Sequence, residues 1–242
     1  RYVIREELNR TLQEVARAEF DAGMNRWLRD IDFGLRLRAN MESASFVYKN
    51  IPLHKRFDPL ELRQRALDLA PKDGLLMEFG VWKGMWINRI ASWTDRQVYG
   101  FDSFEGLPEP WSLRPKGVFA LNTPPVVKGN VTLVHGGFAE SLPVFLREHP
   151  EQVAFVHVDC DLYTSTSTVL ELIKTRLVPG TTIVLDDFLM EPGWQRQEHK
   201  AWRDFTQVNG IEFEYFGYQT AIGCAVGVQI TKVPMQNGKE RN

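Results

Sequence analysis

Two stretches of this chain, Phe155-Val-His-Val-Asp-Cys-Asp-Leu-Tyr163 and Thr182-Ile-Val-Leu-Asp-Asp187, each place two aspartates after an apolar, β-branched run. Runs of this kind predict strands that are buried on both faces, as in a parallel sheet covered by helices. The carboxylates should therefore lie at the carboxyl ends of two strands. In an open α/β sheet this is the edge where ligands bind.

The four carboxylates, Asp159, Asp161, Asp186 and Asp187, need compensation if they lie close together. Two like charges about 4 Å apart repel by roughly 4 kcal/mol at an effective dielectric near 20. A bound cation, a raised pKa that leaves one carboxyl protonated, or nearby Lys and Arg side chains can offset this repulsion. We expect a divalent metal site, against the alternative that some of these groups cap helices or face water.

Asp186 and Asp187 are adjacent, so in a regular strand their side chains would point to opposite faces of the sheet. Both can face one ion only if the strand ends there. A shared metal site therefore predicts a local departure from strand geometry at Asp186.

Size and charge limit the class of protein. The chain has 242 residues with 43% hydrophobic content, which is enough for one large α/β domain with a substantial core. Its 29 basic and 31 acidic residues give a net charge of -2, so it lacks the electrostatic footprint of a nucleic-acid or membrane-surface protein. We expect small-molecule partners.

The two cysteines, Cys160 and Cys224, fall in predicted strand or strand-end positions and cannot frame a disulfide-stabilised secreted scaffold. This favours a reducing, cytoplasmic location. No apolar run approaches the roughly 20 residues that a membrane span requires, so we expect no membrane partner.

The order of the apolar runs predicts an α/β, Rossmann-like fold. Five strands alternate with helices, and two further strands joined too tightly for a helical crossover should pair antiparallel at the C-terminal end. The result is a mixed sheet of seven strands. The predicted strands are 74–79, 97–102, 130–135, 153–159, 181–187, 213–218 and 222–233.

The domain prediction has three parts. Residues 1–70 form a helical cover or lid that can also serve as a dimer element, so a homo-oligomer is possible. Its clearest helix is 59–70, with Asp58 as N-cap, whereas the pattern around 31–47 is mixed. Residues 71–235 form the α/β domain, and 236–242 form a flexible tail.

The run Glu78-Phe-Gly-Val-Trp-Lys-Gly84 lies where the first α/β strand turns into its helix, and its glycines permit close backbone approach to a ligand. Trp82 replaces the middle glycine of the dinucleotide pattern, which makes a pyrophosphate cradle doubtful. Asp102 ends the next strand about 22 residues after Gly80, where an acidic side chain commonly binds a ribose diol. Alternatively, Asp102 is a turn former or helix cap, and Glu78 pairs with Lys83 or Arg89.

Four motifs together resemble the macrocin O-methyltransferase family, also known from mycinamicin and novobiocin biosynthesis. The match covers roughly residues 74–205. The motifs are Glu78-Phe-Gly-Val-Trp-Lys-Gly84, Asp102-Ser-Phe-Glu-Gly-Leu-Pro108, Asp159-Cys-Asp-Leu-Tyr-Thr-Ser-Thr166, and Pro179-Gly followed by Asp186-Asp-Phe188.

The resemblance implies a class I methyltransferase that uses S-adenosylmethionine and Mg²⁺ or a similar divalent cation to methylate a hydroxyl, often on the sugar of a natural product. It assigns the metal to Asp159, Asp186 and Asp187. The residues that it places around the methyl donor are Met41, Glu78, Phe79, Gly80, Val81, Trp82, Asp102, Ser103, Phe104, Glu105 and Gly106.

Two positions depart from the family pattern. An upstream Thr-Met pair corresponds to Asn40-Met41, and the arginine after the tryptophan is Lys83, which keeps the charge but not the planar fork. The loop 110–128 carries no histidine, so the substrate contacts that this loop makes in relatives cannot be transferred.

An alcohol becomes a good nucleophile only when its proton is withdrawn, and Asp159 is our candidate for general base as well as metal ligand. Among the histidines, His157 is expected to be a hydrogen-bonded core residue, and His135 and His199 are weaker candidates for ligand contact. Trp111 and Trp194 are expected to wall an apolar acceptor pocket.

Three other functions remain open from the residues alone. The acceptor can be a catechol-like diol instead of a sugar, or the chain can be a catalytically inactive module that binds S-adenosylmethionine. A nicotinamide-dependent reductase is a weaker possibility. Binding of S-adenosylhomocysteine, and its dependence on Mg²⁺, distinguishes these alternatives.

Overall fold

A computed structural model of the chain describes Glu14, Arg17, Gly23 and residues 29–220 and 223–234. The predicted tail at 236–242 lies outside these residues. So do residues 1–28 of the predicted helical cover, apart from Glu14, Arg17 and Gly23. None of the helices in the described part of the chain combines the length and the apolar character that a membrane crossing requires.

Within residues 29–220 the first helix is α1 (Ile31–Asn50), which covers a segment whose pattern looked mixed. Asp30 caps it by accepting hydrogen bonds from the backbone N–H groups of Asp32 and Phe33. Its buried stripe consists of Ala39, Ser43 and Val47, spaced by four residues, while larger apolar side chains such as Leu37 face solvent. A buried face made of small and polar side chains hid the helical period from the sequence.

The remaining helices follow the predicted order closely. In α2, Asp58 forms the expected N-cap within a capping box completed by Glu61, with Pro59 in the first turn. Short 3₁₀ turns span Lys174–Arg176 and Trp194–Arg196. The helices are α2 (Pro59–Leu69), α3 (Met85–Ala91), α4 (Phe138–Glu148), α5 (Tyr163–Ile173) and α6 (Glu198–Asn209).

The strands form one mixed sheet, as predicted, but the sheet has eight strands where seven were expected. In chain order they are β1 (Arg56–Phe57), β2 (Leu75–Phe79), β3 (Val98–Asp102), β4 (Val131–His135), β5 (Val153–Val158), β6 (Thr182–Leu185), β7 (Glu212–Gln219) and β8 (Val226–Lys232). The additional strand is β1, whose two residues pair in parallel with the end of β7. Two residues are too few to show a strand pattern in the sequence.

The spatial order of the strands is β1-β7-β8-β6-β5-β2-β3-β4. Strand β8 runs antiparallel to both of its neighbours, which confirms the C-terminal hairpin, and the other pairs are parallel. From β2 the chain moves outward to β3 and β4 and then returns to β5 on the other side of β2. This reversal creates a topological switch point at the carboxyl ends of β2 and β5, where open α/β sheets bind ligands.

The central strands are buried on both faces, as their continuous apolar runs predict. Every residue of β2, β5 and β6 is buried. Two apolar clusters cover the two faces of the sheet, one around Met77 and Val156 and the other around Leu76 and Phe155. Helix α2 packs into the second cluster through Leu62 and Ala66. The division at residue 70 stays a prediction.

Candidate functional site

A cavity of about 860 Å³ opens at the carboxyl ends of the central strands. It contains most of the residues that the sequence assigned to a ligand or to a metal. Those lining it are Glu78, Gly80, Val81, Trp82, Asp102, Ser103, Glu105, Gly106, Asp159, Asp186 and Asp187.

Three predicted residues do not line this cavity. Met41 lies on α1 with 68% of its surface exposed. Phe79 is fully buried and stacks on Phe101 with a ring-centroid distance of 4.8 Å. Phe104 is buried and lies 5.6 Å from the ring of His135. The side chains of Phe79 and Phe104 therefore belong to the core and not to the cavity lining.

Asp102 organises the turn that follows β2. Its Oδ2 accepts hydrogen bonds from the backbone N–H groups of Val81, at 2.9 Å, and Trp82, at 2.7 Å. Its Oδ1 accepts one from the backbone N–H of Phe104 at 2.7 Å. Both lone pairs of Oδ2 are engaged, whereas Oδ1 keeps one, so a ribose hydroxyl can still donate to Oδ1. The turn-former interpretation and the ribose interpretation of Asp102 are therefore compatible.

Gly80 is required by the protein's own packing. It adopts a positive φ of 91°, and its N–H donates to Phe101 O at 2.9 Å. A Cβ atom at this position would overlap the backbone carbonyl oxygen of Asp159. The glycine thus lets β2 and β5 approach each other at the cavity, and it ties the turn after β2 to the position of Asp159.

Strand β6 ends at Leu185, so the departure from strand geometry that a shared metal site requires is present. The two aspartates after it have different partners. Asp186 forms a salt bridge with Arg63. Asp187 faces Asp161 and Cys224, and its backbone N–H donates to Glu198 Oε2 at 3.1 Å.

Four carboxyls form what we call the acidic cluster: the buried Asp161 and Glu198 and the half-buried Asp159 and Asp187. Burial and the neighbouring Asp187 raise the pKa of Asp159 to about 8. Burial, followed by the charges of Asp187 and Asp159, also raises the pKa values of Asp161 and Glu198 well above their usual range. Burial raises the pKa of Asp187 as well. Glu198 Oε1 has no hydrogen-bond partner. In its fully ionised form the cluster would hold more negative charge than its partners neutralise.

His157 is a core residue, as expected. It faces Glu78 on one side and, on the other, Arg63, which binds Asp186. Its Nε2 accepts a hydrogen bond from Arg63 Nε at 3.1 Å, so the neutral ring carries its proton on Nδ1. That nitrogen faces Glu78 Oε2 at 3.4 Å. Burial and the Arg63 charge hold the pKa of His157 well below its usual value. Burial and then the Asp159 charge raise the pKa of Glu78, which pairs with neither Lys83 nor Arg89.

The donor atoms at this edge fit a hard divalent cation. One ligand atom each from His157, Asp159 and Asp186 lie within 4.8 Å of one another. His157 Nε2 is already engaged by Arg63, which leaves carboxylate oxygens as the available donors. The unpaired oxygen of Glu198 and the raised pKa values of the acidic cluster add a need for positive charge. Oxygen donors of this kind suit Mg²⁺.

The loop after β3 closes one side of the cavity. Trp111 lines the cavity, pairs through its backbone with Arg114, and lies under the Arg114 guanidinium at 4.3 Å. Glu191 anchors the loop by accepting from Ser112 Oγ at 3.2 Å and by facing Arg114 at 3.4 Å. An aromatic wall of Trp111, Phe119 and Trp82 results.

Trp194 does not take part in this wall, contrary to expectation. It is buried beside Phe46 and His199, with ring-centroid distances of 5.7 and 4.8 Å. His199 is likewise absent from the cavity lining. His135 does line the cavity, and its Nε2 lies 2.9 Å from Ser103 O. The loop after Asp187 folds toward α1, which turns Trp194 away from the cavity.

Several residues of the site escaped the sequence interpretation. Arg63 lies on the same helical stripe as Pro59, Ala66 and Ala70. This spacing was the signal in the sequence that the arginine is buried. The Gly136-Gly137 pair after β4 lines the cavity and is a recognisable strand-to-helix turn. Glu198 follows no motif, since only the folding of the loop after β6 brings it against Asp187.

Comparisons with known proteins agree with this geometry. Residues 77–188 match the family model described as a methyltransferase domain. A curated relative from Streptomyces olivaceus, 8-demethyl-8-(2,3-dimethoxy-alpha-L-rhamnosyl)-tetracenomycin-C 4'-O-methyltransferase, is 28% identical over 163 residues. The alignment covers 57% of this chain and 61% of that protein, so the chain spans less than two thirds of the relative's length.

Two solved structures share the fold. The calicheamicin methyltransferase CalS11 superposes with a TM-score of 0.57 at 22% identity, covering 83% of this chain and 93% of that chain. The O-methyltransferase NovP gives a TM-score of 0.53 at 22% identity, covering 72% of this chain and 79% of that chain. The resemblance read from the four motifs is confirmed, and so is the fold class.

Proposed function

We propose that this chain, whose residues 77–188 form a methyltransferase domain, transfers a methyl group from S-adenosylmethionine to a hydroxyl of a small molecule, a sugar or another natural-product alcohol. One observation carries the proposal. A single cavity contains both the turn held by Asp102 and the carboxylates Asp159 and Asp187. A methyl donor and a hydroxyl activated by acidic groups can therefore meet in one space.

The methyl donor would lie along the turn after β2 and the segment after β3. Asp102 fixes the backbone of Val81 and Trp82, and the lone pair left on its Oδ1 is available to one hydroxyl of a ribose. Ser103, Glu105 and His135 line the same part of the cavity. A pre-formed site of this kind lowers the entropic cost of orienting the sulfonium toward the acceptor.

A divalent cation would be held by Asp159, Asp186 and Asp187. Arg63 contacts Asp186 through Oδ1, which leaves the second oxygen of that carboxylate for a ligand. Asp161 lines the same cavity and offers further oxygens, and Glu198 lies behind it against the backbone of Asp187. When bound, such a cation supplies positive charge beside the acceptor oxygen and lowers the pKa of the hydroxyl.

Asp159 would accept the proton of the hydroxyl. With no cation bound its pKa is raised to about 8, so this carboxylate holds a proton more firmly than an exposed aspartate does. The oxygen forms a bond to the methyl carbon as the bond from sulfur to that carbon breaks. The sulfonium becomes a neutral thioether, and the proton ends on the Asp159 carboxylate, so charge and atoms balance.

The acceptor would contact the aromatic wall of Trp82, Trp111 and Phe119. Sugars and polyketides present flat apolar faces that such rings can cover. The relative from Streptomyces olivaceus is named for methylation of a rhamnosyl hydroxyl, which supports a glycoside as the first acceptor to test.

Calorimetry with S-adenosylhomocysteine tests the donor site, and mass spectrometry of reactions with S-adenosylmethionine, Mg²⁺ and a panel of glycosides, phenols and polyketide alcohols tests the transfer. We expect binding and the gain of one methyl group on a glycoside or polyketide alcohol. Asp159→Asn should keep S-adenosylhomocysteine binding and lose transfer, whereas Glu148→Gln, an exposed change at the end of α4, should alter neither.

The possible results separate the alternatives. Methylation of phenols alone would favour a catechol-like diol as acceptor. Binding of S-adenosylhomocysteine without transfer to any acceptor would indicate a binding module. A chain that binds no S-adenosylhomocysteine contradicts the proposal altogether.

A further inference from the structure

Arg63 is a charged side chain outside the four sequence motifs that is buried and bound by several partners. It projects from α2, which packs against β6, β7 and β8, and its side chain is 1% exposed. Nε donates to His157 Nε2 at 3.1 Å, and Nη1 donates to Pro59 O and Gln219 Oε1, both at 2.9 Å. Nη2 forms the salt bridge with Asp186.

The flat face of the guanidinium is also occupied. Its central carbon lies 3.7 Å from the ring centroid of Trp86, which itself lines the cavity. Burial lowers the pKa of Arg63 only to about 10, so it stays charged at neutral pH. A buried arginine is costly unless its charge and its donors are paired, and here both are. The contacts therefore hold this side chain in a single orientation.

Arg63 and His157 together link three neighbouring strands at the cavity edge. Asp186 follows β6, and His157 lies on β5 and turns its other ring nitrogen toward Glu78 on β2. Arg63 thus contacts Asp186, a proposed metal ligand, directly. It is connected through His157 to Glu78, which is predicted to line the site of the methyl donor. Because Arg63 binds only Oδ1 of Asp186, it can orient that carboxylate and leave Oδ2 available to a ligand.

We infer that Arg63 is a positioning residue, which fixes the Asp186 carboxylate so that its free oxygen faces a divalent cation shared with Asp159. This rests on the proposed function. A planar fork that binds His157 and Asp186 at once cannot be reproduced by the single ammonium of lysine. Loss of the fork should therefore loosen Asp186 even where the charge is kept.

The opposite role is physically possible and predicts the opposite result. A guanidinium beside Asp186 also repels a second cation, so Arg63 could replace a metal ion instead of preparing its site. Removal of the arginine would then tighten cation binding. The sign of the change in affinity distinguishes the two roles.

Electron paramagnetic resonance of free Mn²⁺ measures cation binding without any turnover. We expect Arg63→Met and Arg63→Lys in the full chain to weaken Mn²⁺ binding at least tenfold. Arg65→Met removes the same charge from an exposed position on the same helix and should change it less than threefold. Near-ultraviolet circular dichroism and S-adenosylhomocysteine calorimetry on each variant establish that it is folded and keeps the donor site.

A double-mutant cycle separates positioning from general loosening of the fold. In an Asp186→Asn background, Arg63→Met should weaken Mn²⁺ binding by no more than about twofold, because the carboxylate through which Arg63 acts is already gone. Unchanged or tighter Mn²⁺ binding in Arg63→Met overturns the inference, as does full additivity in the cycle or a wild-type chain that binds no Mn²⁺. If the wild-type chain failed to bind S-adenosylhomocysteine, this would instead count against the proposed function.

Discussion

The two ends of the cavity differ in how far their polar groups are satisfied by the protein itself. At the turn after β2, both oxygens of Asp102 accept backbone hydrogen bonds. In the acidic cluster, burial raises the pKa values of all four carboxyls, the charge of Asp187 adds to the shifts of the other three, and Glu198 Oε1 lacks a partner. The first end is complete as folded, and the second is organised to receive positive charge.

This difference gives the two ends different sensitivities. Changes at the turn should damage the fold and donor binding together, since its hydrogen bonds and packing are part of the protein's structure. Changes in the acidic cluster should stabilise the cation-free protein while they impair cation binding, because the cluster stores repulsion that a ligand would relieve.

The largest effect is expected from Gly80→Ala. The added methyl group would overlap the Asp159 carbonyl oxygen, and the positive φ adds strain of about 1 to 2 kcal/mol. We expect unfolding at a clearly lower temperature and a loss of S-adenosylhomocysteine affinity of roughly 100-fold, measured by calorimetry. Gly129→Ala is the matched control, since nothing lies within 4 Å of its new methyl group. A Gly80→Ala protein with normal affinity would show that β2 and β5 need not approach this closely.

Asp102→Asn should have the next largest effect. An amide offers only one acceptor oxygen, so either Phe104 or the pair Val81 and Trp82 would face an N–H group. We expect a loss of about 1 to 3 kcal/mol in the free energy of unfolding and a fall in S-adenosylhomocysteine affinity of roughly tenfold or more. Asp68→Asn, an exposed change on α2, should leave both unchanged. Equal affinity for the two variants would contradict the structural role given to Asp102.

Glu198→Gln tests the opposite behaviour. It replaces the ionisable carboxyl by a neutral amide and keeps an oxygen that can accept from the Asp187 backbone. The cation-free protein should gain about 1 kcal/mol in the free energy of unfolding at neutral pH, because folding no longer has to bury a carboxyl whose pKa it raises. The stabilisation that Mg²⁺ gives the wild type should shrink. Glu148→Gln serves as the exposed control, and a destabilised Glu198→Gln protein would refute the excess of negative charge.

The smallest effect is expected from His199, which follows Glu198 in α6 and packs among aromatic side chains. Burial lowers the pKa of His199 to about 4, so between pH 6.5 and 4 the unfolded chain takes up a proton that the folded protein does not. Stability should therefore fall as the pH drops through this window. His199→Phe suits the aromatic neighbours Phe46 and Phe188 and should make stability depend less steeply on pH. The uptake of one proton gives a slope of at most roughly 1.4 kcal/mol per pH unit, and the variant should lose a part of this. The slope should persist in His54→Gln, whose site is exposed, and an equal slope in all three proteins would contradict the assignment.

What the sequence by itself determined about this protein is what short-range patterns encode. Apolar runs and the residues that end them located the central strands, the antiparallel hairpin, and the acidic residues Asp102, Asp159 and Asp186 at one sheet edge. The cap of α2 was equally readable, since Asp58, Pro59 and Glu61 are neighbours in the chain. These features depend on interactions within a few residues, so local chemistry suffices to predict them.

Only the tertiary structure decided how those groups are paired. Arg63 meets His157 and Gln219 across 94 and 156 residues of chain, and a Cβ at Gly80 is excluded by the backbone of Asp159, which arrives from another strand. Glu198 enters the acidic cluster through the path of the loop after β6. Long-range contacts of this kind leave no periodic signal, because they depend on which elements the packed core brings together and not on the spacing within any one of them.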